Sequence, residues 1–166
     1  METAVEPKKR PDFLTVLCVL TFIGSTWGIF SGLTNYNNAD VMAEMSRQMI
    51  EEQKDKAMDK AVTADQKSFM NKMFSGANEL MDTVKVKQNS LFSIMSNLLT
   101  LIGAVLMFRL KRAGFGIYVL GIAVFIAAPL VIFGLSNIFG WLMTFVLGVI
   151  GILFIILYRL NIKYMN

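Results

Sequence analysis

Residues 113–136 read AGFGIYVLGIAVFIAAPLVIFGLS, with no Asp, Glu, Lys, Arg or His among them. At 1.5 Å of rise per residue, a helix of that length covers the ~30 Å hydrocarbon layer of a bilayer. The same reading extends outward in both directions. Ile138–Tyr158 follows almost at once, Leu91–Phe108 precedes it across a short basic turn, and Phe13–Leu33 lies near the start; none carries a formal charge. The expected fold class is an all-α membrane protein, a four-transmembrane-helix bundle. Uncharged spans insert at little cost, but they lack the groups that proton relays, ion pathways and intramembrane catalysis generally use.

Composition agrees with this reading. Of the 166 residues, 55% are hydrophobic and 17% are charged, against about 25% charged in typical soluble domains. The net charge of +4 is not spread evenly. Lys8, Lys9, Arg10, Arg109, Lys111, Arg112, Arg159 and Lys163 flank the spans, whereas the remaining Lys and Arg share residues 34–90 with nine acidic side chains. That is the positive-inside pattern of membrane proteins, and it argues against a nucleic-acid partner. The expected layout runs as follows: a cytoplasmic N-terminus at 1–12, spans at 13–33, 91–108, 113–136 and 138–158, an extracytoplasmic insert at 34–90, and a cytoplasmic tail at 159–166. The membrane expected from this is the cytoplasmic one.

Cys18 is the only cysteine and sits within the first span, so no intramolecular disulfide can form. Residues 1–33 have the basic start and apolar core of a signal peptide. The apolar run is long, however, and no clean small-x-small site follows it, so an uncleaved anchor is expected.

The insert is amphipathic. Val41, Met42, Met45, Met49 and Ile50 recur at helical spacing in its first half, and Phe69, Met70, Met73, Phe74, Ala77 and Met81 in its second. Asn38 is the expected cap of the first helix, and Thr63-Ala64-Asp65-Gln66 has the form of a capping box opening the second. With no strong breaker between Asp65 and Leu110, the second helix is expected to run straight into span two as a rod on the order of 70 Å. The insert should therefore be a helical hairpin, its apolar faces burying each other, with Met42, Met45, Met49, Phe69 and Met73 as a candidate partner face; the alternative is a hairpin lying flat on the bilayer with its Met and Phe face in the headgroups. Clustered thioethers suit Cu(I), but no His or second Cys supports them. Adaptable packing is the simpler account, and no cofactor or metal is expected.

Two small-residue stripes mark the spans: Gly24, Gly28 and Gly32 in the first, and Gly140, Thr144 and Gly148 with Gly151 in the fourth. Such stripes let helix backbones approach where lipid supplies no hydrophobic drive. Packing within one bundle is the adopted reading, and a homo-oligomer seam the alternative. Ser93, Ser96, Asn97, Thr100 and Ala104 share roughly one face of span two, and Ser93, Asn97 and Thr100 are expected to make interhelical polar contacts. Pro129 should kink span three. Trp27, Tyr36, Trp141, Tyr158 and Tyr164 read as interfacial belt residues. With no histidine and no nucleophile–base pair, no catalytic set is recognisable, and the protein is not expected to be an enzyme.

The opening Arg10-Pro11-Asp12-Phe13-Leu14-Thr15-Val16-Leu17-Cys18-Val19-Leu20-Thr21-Phe22-Ile23-Gly24-Ser25 resembles the start of small bacterial multi-pass membrane proteins of unknown function. The segment from Ile155 to Met165 resembles their tails. The resemblance implies a bacterial cytoplasmic-membrane protein and supplies no activity. The functional expectation is a scaffold or accessory subunit that meets a membrane or extracytoplasmic protein through its hairpin. The alternative is a small channel or transport component, an oligomer with the Ser93–Asn97–Thr100 face along its path.

Overall fold

A computed structural model describes residues 10–60, 63–134 and 138–165. Among the described residues every regular element is helical: α1 (Asp12–Asn37), α2 (Ala39–Lys60), α3 (Ala64–Leu80), α4 (Thr83–Phe108), α5 (Ala113–Phe133) and α6 (Ile138–Asn161), then a 3-10 turn at Ile162–Tyr164. Helices α1, α4, α5 and the stretch Thr144–Tyr164 that begins inside α6 are long and apolar enough to cross a membrane. This is a multi-pass membrane protein with a helical bundle. Helix α4 is its centre, packing against α1 on one side and α5 on the other, while α6 leans mainly on α5.

The tightest packing follows from glycine. A methyl group on Gly103 would lie 2.7 Å from the Tyr118 backbone nitrogen, and one on Gly114 would lie 2.6 Å from the Gly103 carbonyl oxygen. Farther along the same seam, a methyl on Gly121 would come within 2.8 Å of Thr100 Cγ2. Only hydrogen fits there, so α4 and α5 touch backbone to backbone. The turn joining them is short. Leu110 adopts φ 59°, and the Lys111 N–H returns to the Leu106 carbonyl at 2.9 Å. This is the Schellman closure that usually recruits glycine; here a leucine takes the left-handed position and packs on the core.

The core lies at this same end. Leu14, Leu17, Cys18, Met107, Tyr118, Tyr158 and Met165 are buried together. Arg10 spans two helices, its Nη1 donating to the Phe108 carbonyl at 2.9 Å while the guanidinium rests 3.6 Å from the centre of the Phe108 ring. A cation at the carbonyl end of α4 also suits the helix dipole. Arg112 Nε donates to the Met165 carbonyl at 2.8 Å. Arg10, Arg109, Lys111, Arg112, Arg159 and Lys163 therefore gather at one end of the bundle.

Several expectations need correction. Helix α6 runs past Tyr158 to Asn161, and Met165 is buried in the core. Helix α5 stops at Phe133, short of Ser136, where Gly134 turns the chain at φ 75°. The continuous rod is broken. Asp82 Oδ1 accepts from the backbone of Val84 and Lys85 at 3.1 and 3.2 Å, starting α4 afresh, while Met81 caps α3. Tyr158 is no belt residue; it is fully buried, its hydroxyl 2.7 Å from Thr21 Oγ1. Trp27 stands 71% exposed well inside α1, on the outward face of the bundle. Asn38 sits at the α1–α2 junction, donating to the Thr34 carbonyl and accepting from the Met42 N–H. The Thr63–Gln66 capping box is present, with reciprocal bonds of 3.2 and 3.3 Å. Lys8, Lys9, the Ser136-Asn137 turn and the surroundings of Gly140 and Trp141 lie outside the described residues.

Candidate functional site

Two regions bring chemistry-bearing side chains together: the bundle interior and the α2–α3 hairpin.

In the interior, polar groups stitch the spans. Ser25 Oγ and Thr100 Oγ1 meet at 2.9 Å between α1 and α4. Ser96 Oγ donates to the Gly121 carbonyl at 2.8 Å, joining α4 to α5, and the Thr21–Tyr158 bond joins α1 to α6. Of the expected polar trio, only Thr100 bonds across helices. Asn97 Nδ2 instead donates within α4, to the Ser93 carbonyl at 2.8 Å, and its amide packs against Gly28. The residue missed from sequence is Ser25. Ser96, on the polar face read from sequence, recurs with Thr100 and Gly103 at i, i+4 and i+7, a small-residue stripe opposite Gly114, Tyr118 and Gly121.

The glycine stripes divide. Gly28 and Gly32 bring α1 against α4, a methyl on Gly32 falling 2.7 Å from Ile94 Cγ1. Gly151 faces Ile122 of α5 closely, and Gly148 lies at ordinary contact distance from Ile126. Thr144 is buried. Gly24 departs from the stripe: a methyl there would meet nothing within 4 Å.

What Gly24 faces is a cavity of about 360 Å³. Its walls are mostly hydrocarbon, from Leu20, Ile122, Phe125, Ile150 and Phe154, with Thr21, Ser25 and Asn97 at its polar side. A second cavity of about 470 Å³ lies toward the hairpin, lined by Asn35, Asn89, Ser93, Pro129, Phe133 and Leu80 among others. Phe125 borders both. Pro129 cannot donate to the Phe125 carbonyl, so the interrupted turn of α5 falls where the two chambers meet.

The hairpin is held to the bundle by ion pairs. Lys87 Nζ lies 3.0 Å from Asp40 Oδ2, Arg47 lies 3.7 Å from Asp82, and Lys85 pairs with Glu79. All are at least partly solvated, so each contributes little by itself; together they orient α2 and α3 at the end opposite the basic cluster. The two helices run antiparallel around a cleft of about 400 Å³ between Met49, Ile50 and Gln53 of α2 and Met73, Phe74 and Ala77 of α3. Their apolar faces bury each other only in part, and α3 has no fully buried residue. Met73 belongs to the half-buried inner set, a correction to its place on the candidate partner face. Met42, Met45, Met49 and Phe69 are exposed, Met45 by 59%.

Among the described residues, no group of three or more His, Cys, Asp or Glu side chains is placed to hold a metal ion. No protein-family model, curated protein or solved structure matches the chain.

Proposed function

We propose that this protein is a non-enzymatic membrane scaffold or accessory subunit that engages a protein partner through the outer face of its α2–α3 hairpin. The observation that carries the reading is the exposure of Val41, Met42 and Met45 along one side of α2. A folded hairpin has its own inner face for Ile50, Met73 and Phe74, so these outward thioethers are not needed to hold it together. Methionine surfaces adapt to varied apolar partners, and contiguous exposed apolar patches mark interaction sites. The sidedness belongs to the same reading. The basic end faces the cytoplasm with both termini, the hairpin lies outside, and the membrane is the bacterial cytoplasmic membrane that the sequence resemblance implies.

The channel alternative has weaker support. Thr100 bonds to Ser25 of α1, and Asn97 donates to the Ser93 carbonyl of its own helix, which favours packing over a path.

The test is photocrosslinking in native membranes, with a photoreactive residue at Met45 and a control at the half-buried Met73. A discrete heterologous adduct from position 45 and none from position 73 is the expected result. If position 45 yields only lipid or intrachain adducts, the partner-binding reading is wrong.

A further inference from the structure

We infer that the two clefts form one binding site for an acyl chain of a bilayer phospholipid, admitted sideways between α1 and α6. The entrance is visible in the packing. The hydrogen bond that joins α1 to α6 is at Thr21–Tyr158, beside the core. One turn farther along α1, Gly24 is exposed and a methyl on it would touch nothing within 4 Å, while Leu20 and Ile150 are half-exposed at the lip. Among the described residues, the seam is bonded at Thr21–Tyr158 and uncovered at Gly24.

What fills it follows from the surroundings. The inner chamber is walled mainly by aliphatic and aromatic carbon, and such a space holds water poorly. Left empty, it forfeits the dispersion contacts of its whole lining. The medium at its mouth is hydrocarbon chain, which is apolar, flexible and narrow enough to enter. A helix from a second copy is about 10–12 Å across with its side chains, wider than an acyl chain. Each chamber falls within the range of ~300–1,000 Å³ typical of small-molecule sites.

The outer chamber suits the other end of the same molecule. It presents the amides of Asn35 and Asn89 and the hydroxyl of Ser93, with no Lys or Arg in its lining. Uncharged donors and acceptors match the glycerol-ester region, with the headgroup left near the hairpin. At the junction, Asn97 Oδ1 has no donor among the described residues.

The experiment uses the full chain in phosphatidylcholine–phosphatidylglycerol vesicles containing a phosphatidylcholine with a diazirine on its acyl chain. After photolysis, adducts are mapped by mass spectrometry. The expected result is labelling concentrated at Ile122 and Phe154, relative to Val131, which is 79% exposed on the outside of α5. Gly24→Leu should abolish the cavity adducts and leave those at Val131 unchanged. Ile150→Trp, at the lip, provides a second block should the first variant fold poorly, and the unreactive thiol of buried Cys18 reports folding in each. Three results would overturn the inference: equal labelling of inner and outer sites in the parent protein; cavity labelling only by a free fatty acid bearing the same diazirine; or inter-copy disulfides from Gly24→Cys, which would place a second copy at the entrance.

Discussion

At the basic end, Leu14, Leu17, Cys18, Met107, Tyr118 and Tyr158 are buried against one another, and Arg10 and Arg112 tie helix ends to carbonyls across the bundle. At the opposite end, the same helices surround a chamber of about 470 Å³, and the hairpin above it is held by partly exposed ion pairs. Both ends are rich in apolar side chains, though the open one adds Asn35, Asn89 and Ser93. The ends differ also in how closely backbones approach: Gly103 and Gly114 draw α4 onto α5 at the basic end, whereas Pro129, Phe125 and Phe133 line the chamber near the other. The closed end stabilises the bundle. The open end, with its cavities and exposed methionines, is where binding is to be sought.

The largest expected effect comes from forcing the closed end open. Gly103→Leu drives carbon into the Tyr118 backbone, a contact with no flexible side chain to yield. Overpacking of this kind costs about 3 kcal/mol, the upper part of the usual range. Thermal unfolding in detergent, followed by maleimide labelling of Cys18, should show early exposure of the thiol. Gly103→Leu unfolding at the same temperature as the parent would show that the seam is softer than its geometry implies.

A smaller effect is expected at the joint between hairpin and bundle. Asp82→Ala removes the acceptor for the Val84 and Lys85 N–H groups and the partner of Arg47. Loss of such a cap costs about 1 kcal/mol. Hydrogen exchange should quicken at the start of α4 and in α3 while the core amides stay protected. Uniform acceleration through α1 and α5 would mean that the two ends unfold as one unit.

The smallest effect tests a polar stitch. Tyr158→Phe deletes the hydroxyl bonded to Thr21 and keeps the ring packed edge-on to Tyr118, 4.8 Å between centres. Interhelical hydrogen bonds in membranes average about 0.6 kcal/mol, so the Cys18 unfolding transition should fall only slightly. A loss as large as that of Gly103→Leu would make this bond, rather than the glycine seam, the main lock of the closed end.

Legibility from sequence divides along the same line. The Thr63 capping box was readable because its four residues carry both donors and both acceptors locally. The Asp82 break was not, since an acidic residue within an apolar-periodic run looks like one more solvated position until its carboxylate is seen turned onto Val84 and Lys85. Gly28 and Gly24 are indistinguishable as members of a four-residue repeat, yet one meets Asn97 and the other an opening. Tyr158 sits at a span end like any belt aromatic, and only the fold of Met165 and Tyr118 around it makes it core.

Sequence by itself determined that four helices are long and apolar enough to cross a membrane, where their basic flanks lie and that the insert is amphipathic, because insertion, charge and helical period are local properties of consecutive residues. Tertiary structure alone decided which face of each span turns inward, that Ser25 bonds to Thr100 across helices while Asn97 bonds within α4, and that Gly24 borders a cavity. The reason is the solvent. Lipid chains are as apolar as a protein core, so a buried leucine and an exposed one follow the same pattern, and only backbone approach and hydrogen bonding between helices select the partners.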